Sequence, residues 1–328
     1  MRVKFWGVRG SLPSPPTSDE IAARLTEALY RLGQDGSAPD LSDRASISRW
    51  VEKLPHSVRS FAGGNTPCVE VQIGNSRCIF DLGSGLRPLG DALMNEEFGH
   101  GAGHAHLFLS HLHWDHIQGW PFFKPAYVPG NRFDLYARHE CAWERLRDQQ
   151  SAPFFPPEAW GEMSADTQFH HLPYEPLEFA DGLKISTLEL EHPSLAYAFR
   201  LEANGKTFVY ASDGAYPEPA NGERNDPAQK FLRFFEGADI LVFDSQFSLA
   251  ESMEKRAWGH SSAVEGVKLA AHAGAKRLAM FHHDPSASDA KLEQQLRISR
   301  EYAAHPPTPC KPNAVEVVLA REGMEIEL

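Results

Sequence analysis

Short apolar runs that stop at a polar side chain recur along this chain. Residues 105–109 are apolar except for His106 and end at Ser110, and residues 240–243 are all apolar and end at Asp244. Runs of about 4–8 such residues are typical of buried strands. Strands with the same kind of ending are also predicted at 182–191, 207–212 and 277–281.

Helices are predicted where apolar residues recur every three to four positions. The stripe from Ile21 to Leu32 predicts a helix over 19–32 that ends at Gly33. Ser262 and Glu265 form a capping box, which starts a helix that ends before Gly274. Further helices are predicted from Ser42 or Asp43 to Leu54, and at 86–94, 140–149 and 289–302.

The remaining strands are indicated by alternation and by turn residues. Residues 68–73 and 77–80 alternate around Gly74-Asn75, which predicts a hairpin. Residues 315–320 and 324–327 predict a second hairpin at the end of the chain, and strands are also predicted within 1–10 and at 196–203. Strands come first and are then mixed with helices, in two halves of similar length. This succession predicts an α/β protein, an αββα sandwich, with residues 1–328 in a single domain.

Two segments fit this alternation less well. We interpret residues 17–58 as a helical insertion between two strands of one sheet, and residues 117–175, which lack a long periodic pattern, as a loop-rich insertion. The helical insertion is a lid, a dimer contact or a solvated decoration, and the sequence leaves these three alternatives open.

Composition narrows the range of partners. The 328 residues are 42% hydrophobic and 23% charged, and the net charge is −12 with neutral histidines. This charge argues against binding of duplex nucleic acid. The four cysteines are scattered, no segment resembles a signal peptide, and no run of about 18 apolar residues exists. We therefore expect a cytoplasmic protein with no membrane partner and leave a homodimer open.

Residues 110–116, SHLHWDH, carry the strongest chemical signal. His111 and His113 are two apart on an extended segment, so they point the same way. Asp115 and His116 follow as the chain turns, so their side chains can reach a second position a few ångströms from the one that His111 and His113 face. Packing alone does not explain such crowding of imidazole and carboxylate groups. These groups suit zinc, manganese or iron, and one strand end thus predicts a site for two adjacent metal ions.

Other strand ends complete this set. We assign His111, His113 and His192 to one ion, and Asp115, His116 and His282 to the other. Asp213 is the predicted bridge, because one carboxylate serves two ions about 3.5–4 Å apart, and a water or hydroxide between the ions is the predicted nucleophile. Asp81 and Asp244 also end strands, and we expect them to orient ligating histidines.

The order of these motifs resembles the metallo-β-lactamase superfamily. The resemblance rests on the run from His111 to His116, the lone His192, Ser212-Asp213-Gly214 and His282, and it implies that superfamily's fold. The block Gly259-His260-Ser261-Ser262 is similar to one in ribonuclease Z and in a cyclic phosphodiesterase of phosphonate metabolism. That similarity implies that His260 gives a proton to the leaving oxygen. We count His260 and Asp115 as the candidate catalytic residues.

The substrate is predicted from what surrounds the motifs. Ribonuclease Z enzymes carry a long arm for tRNA, whereas only 20 residues separate His192 from Asp213 here. We therefore predict a hydrolase with two divalent metal ions, zinc or else manganese or iron, that acts as a phosphodiesterase on a small or cyclic phosphodiester. Acyl hydrolysis of a thioester or lactone, tRNA 3′-processing and a metal-stabilised binding or regulatory module are the alternatives.

Overall fold

Strands in the described part of the chain form two sheets. The computed structural model describes residues 1–155, 159–218, 227–306, 310–311 and 314–328. In chain order, the strands are β1 Arg2–Gly7, β2 Cys68–Ile73, β3 Ser76–Phe80, β4 His104–Leu109, β5 Arg132–Ala137, β6 Asp166–His171, β7 Leu177–Glu178, β8 Lys184–Glu189, β9 Tyr197–Ala203, β10 Lys206–Ala211, β11 Ile240–Asp244, β12 Arg277–Phe281, β13 Glu316–Leu319 and β14 Glu325–Glu327.

Each sheet has an antiparallel half and a parallel half. The first sheet has the order β14-β1-β2-β3-β4-β5-β6, and its strands are parallel from β3 to β6. The second has the order β13-β12-β11-β10-β9-β8-β7, and its strands are parallel from β10 to β13. The parallel strands place several carboxyl ends at the same edge of each sheet, where polar groups for a site can gather.

The described part of the chain also forms α-helices, some of which pack on the outer faces of the two sheets. Their bounds are α1 Ser18–Gln34, α2 Arg44–Lys53, α3 His56–Arg59, α4 Leu86–Leu93, α5 Trp114–Ile117, α6 Ala142–Asp148, α7 Ala159–Glu162, α8 Gln229–Phe235, α9 Leu249–Glu254, α10 Ala263–Ala273 and α11 Asp289–Ala304. The predicted capping box at Ser262 and Glu265 starts α10, and Gly274 ends this helix with a φ of 68°. Among the described helices, none has both the length and the apolar character that crossing a bilayer requires.

The core shows why the layers form. On β4, Phe108 faces the second sheet, where its ring lies 5.7 Å from that of Phe199 on β9, and it stacks on Phe80 of the neighbouring strand β3 with ring centroids 5.2 Å apart. Its neighbours Leu107 and Leu109 face the other way and pack in the cluster that contains α4. A third buried cluster joins α8, α10 and α11 to the second sheet. The two sheets thus pack face to face, and helices cover the other face of each sheet. The predicted αββα sandwich is confirmed.

The predicted terminal hairpin is wrong. Strand β13 pairs in parallel with β12, whereas β14 pairs antiparallel with β1 in the other sheet. The turn between β13 and β14 therefore crosses from one sheet to the other, and Phe5 holds it by backbone hydrogen bonds to Gly323 and Met324. A turn glycine between two apolar segments occurs both in a hairpin and in a crossing between sheets. Only the pairing of β13 with β12 and of β14 with β1 distinguishes the two.

The segments interpreted as insertions differ in structure. Helices α1 and α2 lie within 17–58, as predicted. Residues 117–175 contain strands β5 and β6, which extend the first sheet and were not predicted. The assignment of the chain to one domain and the roles of both segments stay predictions.

Candidate metal centre

The histidine motif lies where the chain passes from β4 into α5. Strand β4 stops at Leu109, residues 110–113 form a loop that is extended at His113, and α5 begins at Trp114. His113 precedes α5 with φ −60° and ψ 147°, so it points differently from Asp115 and His116 on the helix. The local fold therefore produces the two directions that the sequence predicts.

His111, His113 and His192 form the first group of donors. Nε2 of His192 lies 3.1 Å from Nδ1 of His113, and the ring of His111 lies 4.6 Å from that of His113 and 5.0 Å from that of His192. Each offers a nitrogen within 4.8 Å of the others. Burial lowers the pKa of all three imidazoles, which favours the neutral form that binds a metal.

Asp115, His116 and His282 form the second group. Oδ2 of Asp115 lies 3.2 Å from Nε2 of His282 and 3.3 Å from Nε2 of His116. Burial disfavours a charge on His116, but the carboxylates of Asp213, Asp115 and Asp81 outweigh burial and raise the pKa of His116 well above its ordinary value. A positive charge is therefore stabilised at this point, whether a proton or a metal ion carries it.

Asp213 lies between the two groups. Its Oδ2 is 3.2 Å from Nε2 of His116, and its Oδ1 is 3.3 Å from Nε2 of His282 and 3.9 Å from Nε2 of His111. Asp213 is 1% exposed, so water does not solvate its carboxylate. The structure thus brings together all seven residues that the sequence predicts as ligands, and their role in binding metal stays a prediction.

Hydrogen bonds on the far side of three of the imidazoles fix their orientation. Nδ1–H of His116 donates to Asp81, Nδ1–H of His192 donates to the carbonyl oxygen of Gly259, and Nε2–H of His113 donates to Oγ of Ser194 at 2.6 Å. Each ring therefore turns the lone pair of its other nitrogen toward the cluster. The contact between Asp81 and His116 is as predicted.

The polar atoms that face the centre of the cluster show whether a metal ion would fit there. Neither carboxylate oxygen of Asp213 nor Nε2 of His111 has a hydrogen-bond partner within the described residues. The lone pairs of Asp213 and of Nε2 of His111 therefore have no donor in the described structure, which is costly in a buried site. Divalent cations relieve this cost, and the nitrogen and oxygen donors suit zinc, manganese or iron. The residues of this cluster therefore suit the binding of divalent metal ions.

His260 stands beside both groups of donors. Its ring lies 5.1 Å from that of His282 and 5.2 Å from that of His192, and its Nδ1–H donates to Oδ2 of Asp244 at 2.7 Å. The expectation that Asp244 orients a ligating histidine is therefore wrong, because this carboxylate holds His260. Burial opposes the charge on His260, but Asp244 outweighs it and raises the pKa of His260 to about 9.

Comparison with known proteins identifies the family. The model of the beta-lactamase superfamily domain matches residues 96–283, more than half of the chain. This chain belongs to the metallo-β-lactamase superfamily. The matched segment contains the histidine motif, His192, Asp213, His260 and His282, and so the predicted resemblance is confirmed. The fold of this superfamily implies binding of divalent metal ions. The protein is a hydrolase.

Individual members of the superfamily add detail. The chain is 28% identical to a ribonuclease Z of Halorubrum lacusprofundi over 286 residues, which cover 67% of this chain and 83% of the relative. The fold is shared with the metallo-β-lactamase fold protein YhfI of Bacillus subtilis, at a TM-score of 0.60 and 18% identity over 99% of this chain and 98% of that one. It is also shared with a diphosphatase of the PhnP family, at a TM-score of 0.59 and 18% identity over 100% and 97% of the two chains.

The candidate metal centre also includes residues that sequence reasoning missed. The backbone N–H of Ser11 donates to Oδ2 of Asp115 at 2.7 Å. A Cβ on Gly10 would lie 2.5 Å from the ring of His282, so only glycine fits against this ring. Tyr210 donates its hydroxyl proton to Asp81 at 2.7 Å. In the sequence, Gly10 after β1 was the one sign of a close contact, but it did not indicate that the contact is with His282.

Backbone strain marks the same region. Asp81 and His282 have φ values of 61° and 57°, which are unusual for residues with a side chain. Both directly follow a strand, β3 for Asp81 and β12 for His282. Strained residues of this kind persist where the surrounding contacts hold them, and they concentrate at functional sites. In this protein the two strained residues are Asp81, whose carboxylate contacts His116, and His282, whose imidazole contacts Asp115.

Proposed function

We propose that this protein is a phosphodiesterase that uses two metal ions to hydrolyse a small or cyclic phosphodiester. The observation that carries this proposal is the position of His260, which Asp244 holds at Nδ1 while its ring lies next to both His192 and His282. Phosphodiester hydrolysis expels an alkoxide, which is a poor leaving group unless it gains a proton. An acid beside the predicted metal site meets this requirement.

The seven clustered residues would hold the ions. His111, His113 and His192 would bind one ion, Asp115, His116 and His282 would bind the other, and Asp213 would bridge them. When bound, two divalent cations supply Lewis acidity toward phosphoryl oxygens and lower the pKa of a bound water near the substrate.

The side chains of the protein handle the protons. His116 and His282 help to keep Asp115 ionised, because their charges outweigh burial and lower the pKa of that carboxyl. The ionised carboxylate of Asp115 would orient the attacking water, whose proton passes to bulk solvent as its oxygen bonds to phosphorus. His260 donates its Nε2 proton to the leaving oxygen as the other phosphorus–oxygen bond breaks. Asp244 stabilises the imidazolium before transfer and keeps the ring in place.

Charge and shape favour a small substrate. The net charge of −12 disfavours a long polyanion. Residues 197–211 between His192 and Asp213 form the tight hairpin of β9 and β10, which leaves no long arm at this place. Trp114 of the histidine motif is 55% exposed, and Trp258, two residues before His260, is 63% exposed. Exposed indole rings beside such a site suit stacking on a nucleobase. We infer no membrane partner and leave a homodimer as a further proposal.

A second candidate is cleavage of RNA, because the relative from Halorubrum lacusprofundi is a ribonuclease Z. Both candidates can be compared in one experiment. Protein loaded with zinc or manganese is assayed on bis-p-nitrophenyl phosphate, on 2′,3′- and 3′,5′-cyclic nucleotides, on a tRNA precursor with a 3′ extension, and on a thioester and a lactone. We expect turnover of a small diester and little cleavage of the tRNA precursor.

His260→Ala separates the chemistries. We expect it to lower kcat on the diester by about 100-fold or more, with the bound metal unchanged. His171→Ala is the matched control, because this exposed histidine lies on β6 away from the cluster. No diester turnover at full metal content would overturn the proposal, and so would an unchanged kcat in His260→Ala. Turnover of the thioester or lactone alone would favour acyl hydrolysis.

A further inference from the structure

A cavity of about 380 Å³ lies between α9, the start of α10 and α11. This volume is within the range of about 300–1,000 Å³ that is usual for small-molecule sites. Its lining is mostly apolar and includes Leu249, Ala263, Val264 and Ile298. Leu249 and Ile298 are 42% and 45% exposed, so apolar side chains border an opening toward solvent.

Two polar side chains of α11 interrupt this apolar lining. Gln295 is 8% exposed and Ser299 is 1% exposed, and both line the cavity. Both amide atoms of Gln295 and Oγ of Ser299 are buried without a hydrogen-bond partner within the described residues. A buried amide that lacks partners is costly, and native proteins rarely retain one without a reason. A ligand that satisfies this amide is such a reason.

The amide of Gln295 defines the chemistry of that ligand. It has one free acceptor, Oε1, and one free donor group, Nε2. A lactam, carboxamide or amidine edge presents a donor and an acceptor side by side and pairs with a glutamine amide through two hydrogen bonds. The apolar lining around it suits a flat ring system.

The cavity is separate from the candidate metal centre but touches its supporting loop. Phe247 lines the cavity, and its ring lies 5.9 Å from that of His260. The backbone N–H of Phe247 donates to the carbonyl oxygen of Ser261. On another side, Lys291 of α11 and Glu251 of α9 form an ion pair at 2.9 Å that links these two helices. A ligand here would therefore pack against the segment that carries His260.

We propose that this cavity is a binding site for a small planar molecule with a lactam, carboxamide or amidine edge, which Gln295 recognises. The proposal is independent of the substrate, because none of the predicted metal ligands lines the cavity. The class includes nucleobase-like heterocycles and aromatic amides.

Quinolin-2-one and quinoline test the proposal as probes, because the two are close in size and only the first has a lactam edge. Each is titrated into the full-length, metal-loaded protein, and binding is followed by NMR and calorimetry. We expect quinolin-2-one to bind about tenfold more tightly than quinoline, since its lactam can pair with the amide through two hydrogen bonds, whereas the ring nitrogen of quinoline can accept only one. Gln295→Leu should abolish this preference, and Ser299→Ala should weaken it less.

Gln294→Leu is the matched control, because it makes the same change on an exposed position of the same helix. It should bind both probes as the unmodified protein does. Without a probe, Gln295→Leu should raise the melting temperature, because the unpartnered amide is gone, whereas a glutamine that only supports the fold would lower it on replacement. Absence of saturable binding of quinolin-2-one, or equal binding by Gln295→Leu, would overturn the proposal.

Discussion

Oδ2 of Asp81 lies 2.7 Å from Nδ1 of His116, and both side chains are fully buried. The same carboxylate also accepts hydrogen bonds from the backbone N–H and the hydroxyl of Ser110 and from the hydroxyl of Tyr210. Tyr210 belongs to the second sheet, so Asp81 joins the two sheets directly behind the candidate metal centre. It fixes which nitrogen of His116 faces the cluster.

Asp81→Asn should therefore weaken metal binding while leaving every predicted ligand in place. The amide has similar size but lacks the charge that holds His116 by a strong hydrogen bond, and loss of such a partner costs about 10–100-fold in metal affinity. The measurement is metal content at equilibrium with a competing chelator. Asp239→Asn is the control, because Asp239 is also buried but binds Thr207 and Lys276 instead. Unchanged affinity in Asp81→Asn would contradict this role.

Gly10→Ala should displace His282. The added methyl would lie 2.5 Å from Cε1 and 2.6 Å from Nδ1 of this ring, and the ring is buried and has no room to move. Overpacking of this kind costs roughly 1–3 kcal/mol, which corresponds to about a 5- to 140-fold loss of affinity for one of two ions. Gly33→Ala serves as the control, because its methyl meets no atom within 4 Å. Two tightly bound ions in Gly10→Ala would refute the prediction.

His106→Phe should reduce the sensitivity of folding to acid. His106 lies on β4 with Nδ1 buried and unpartnered in the described structure, and burial, together with the charge of His104, lowers the pKa of His106 to about 4. The ordinary value is 6.5, so the unfolded chain binds this proton more strongly than the folded protein does. The stability that His106 contributes is complete above pH 6.5 and is lost as the pH falls toward 4.

Urea unfolding at pH 8 and pH 5 measures this effect. Between these values, His106→Phe should lose about 1–2 kcal/mol less stability than the unmodified protein, because phenylalanine has no proton to bind. His171→Phe, on the exposed part of β6, should keep the original loss. If both variants lose as much stability as the unmodified protein, His106 is not the group responsible.

The sequence predicts the donor groups well because their chemistry and spacing are local. His111 and His113 alternate on extended backbone, and Asp213 and His282 each follow an apolar strand, so the pattern itself brings them to one edge of the sheets. The sandwich follows from the same alternation. These features need no knowledge of which strands pair at long range.

Contacts between distant segments were the ones missed. Gly10 and Ser11 act on His282 and Asp115 through positions far along the chain, and nothing near them in sequence indicates this. The prediction that Asp244 holds a ligand is wrong, because the chain folds back through α9 and brings His260 to this carboxylate instead. Strand β5 escaped prediction because Asp134, whose carboxylate pairs with histidines on both neighbouring strands, interrupts its apolar pattern.

Metal titration of diester hydrolysis tests the central claim most directly. Metal-free protein receives zinc or manganese in steps, and bound metal and turnover of bis-p-nitrophenyl phosphate are measured at each step. Because the seven clustered residues form two donor groups joined by Asp213, we expect two bound ions per chain, with full turnover only when the second has bound. Full turnover with one ion bound, or no turnover with two, would contradict the account.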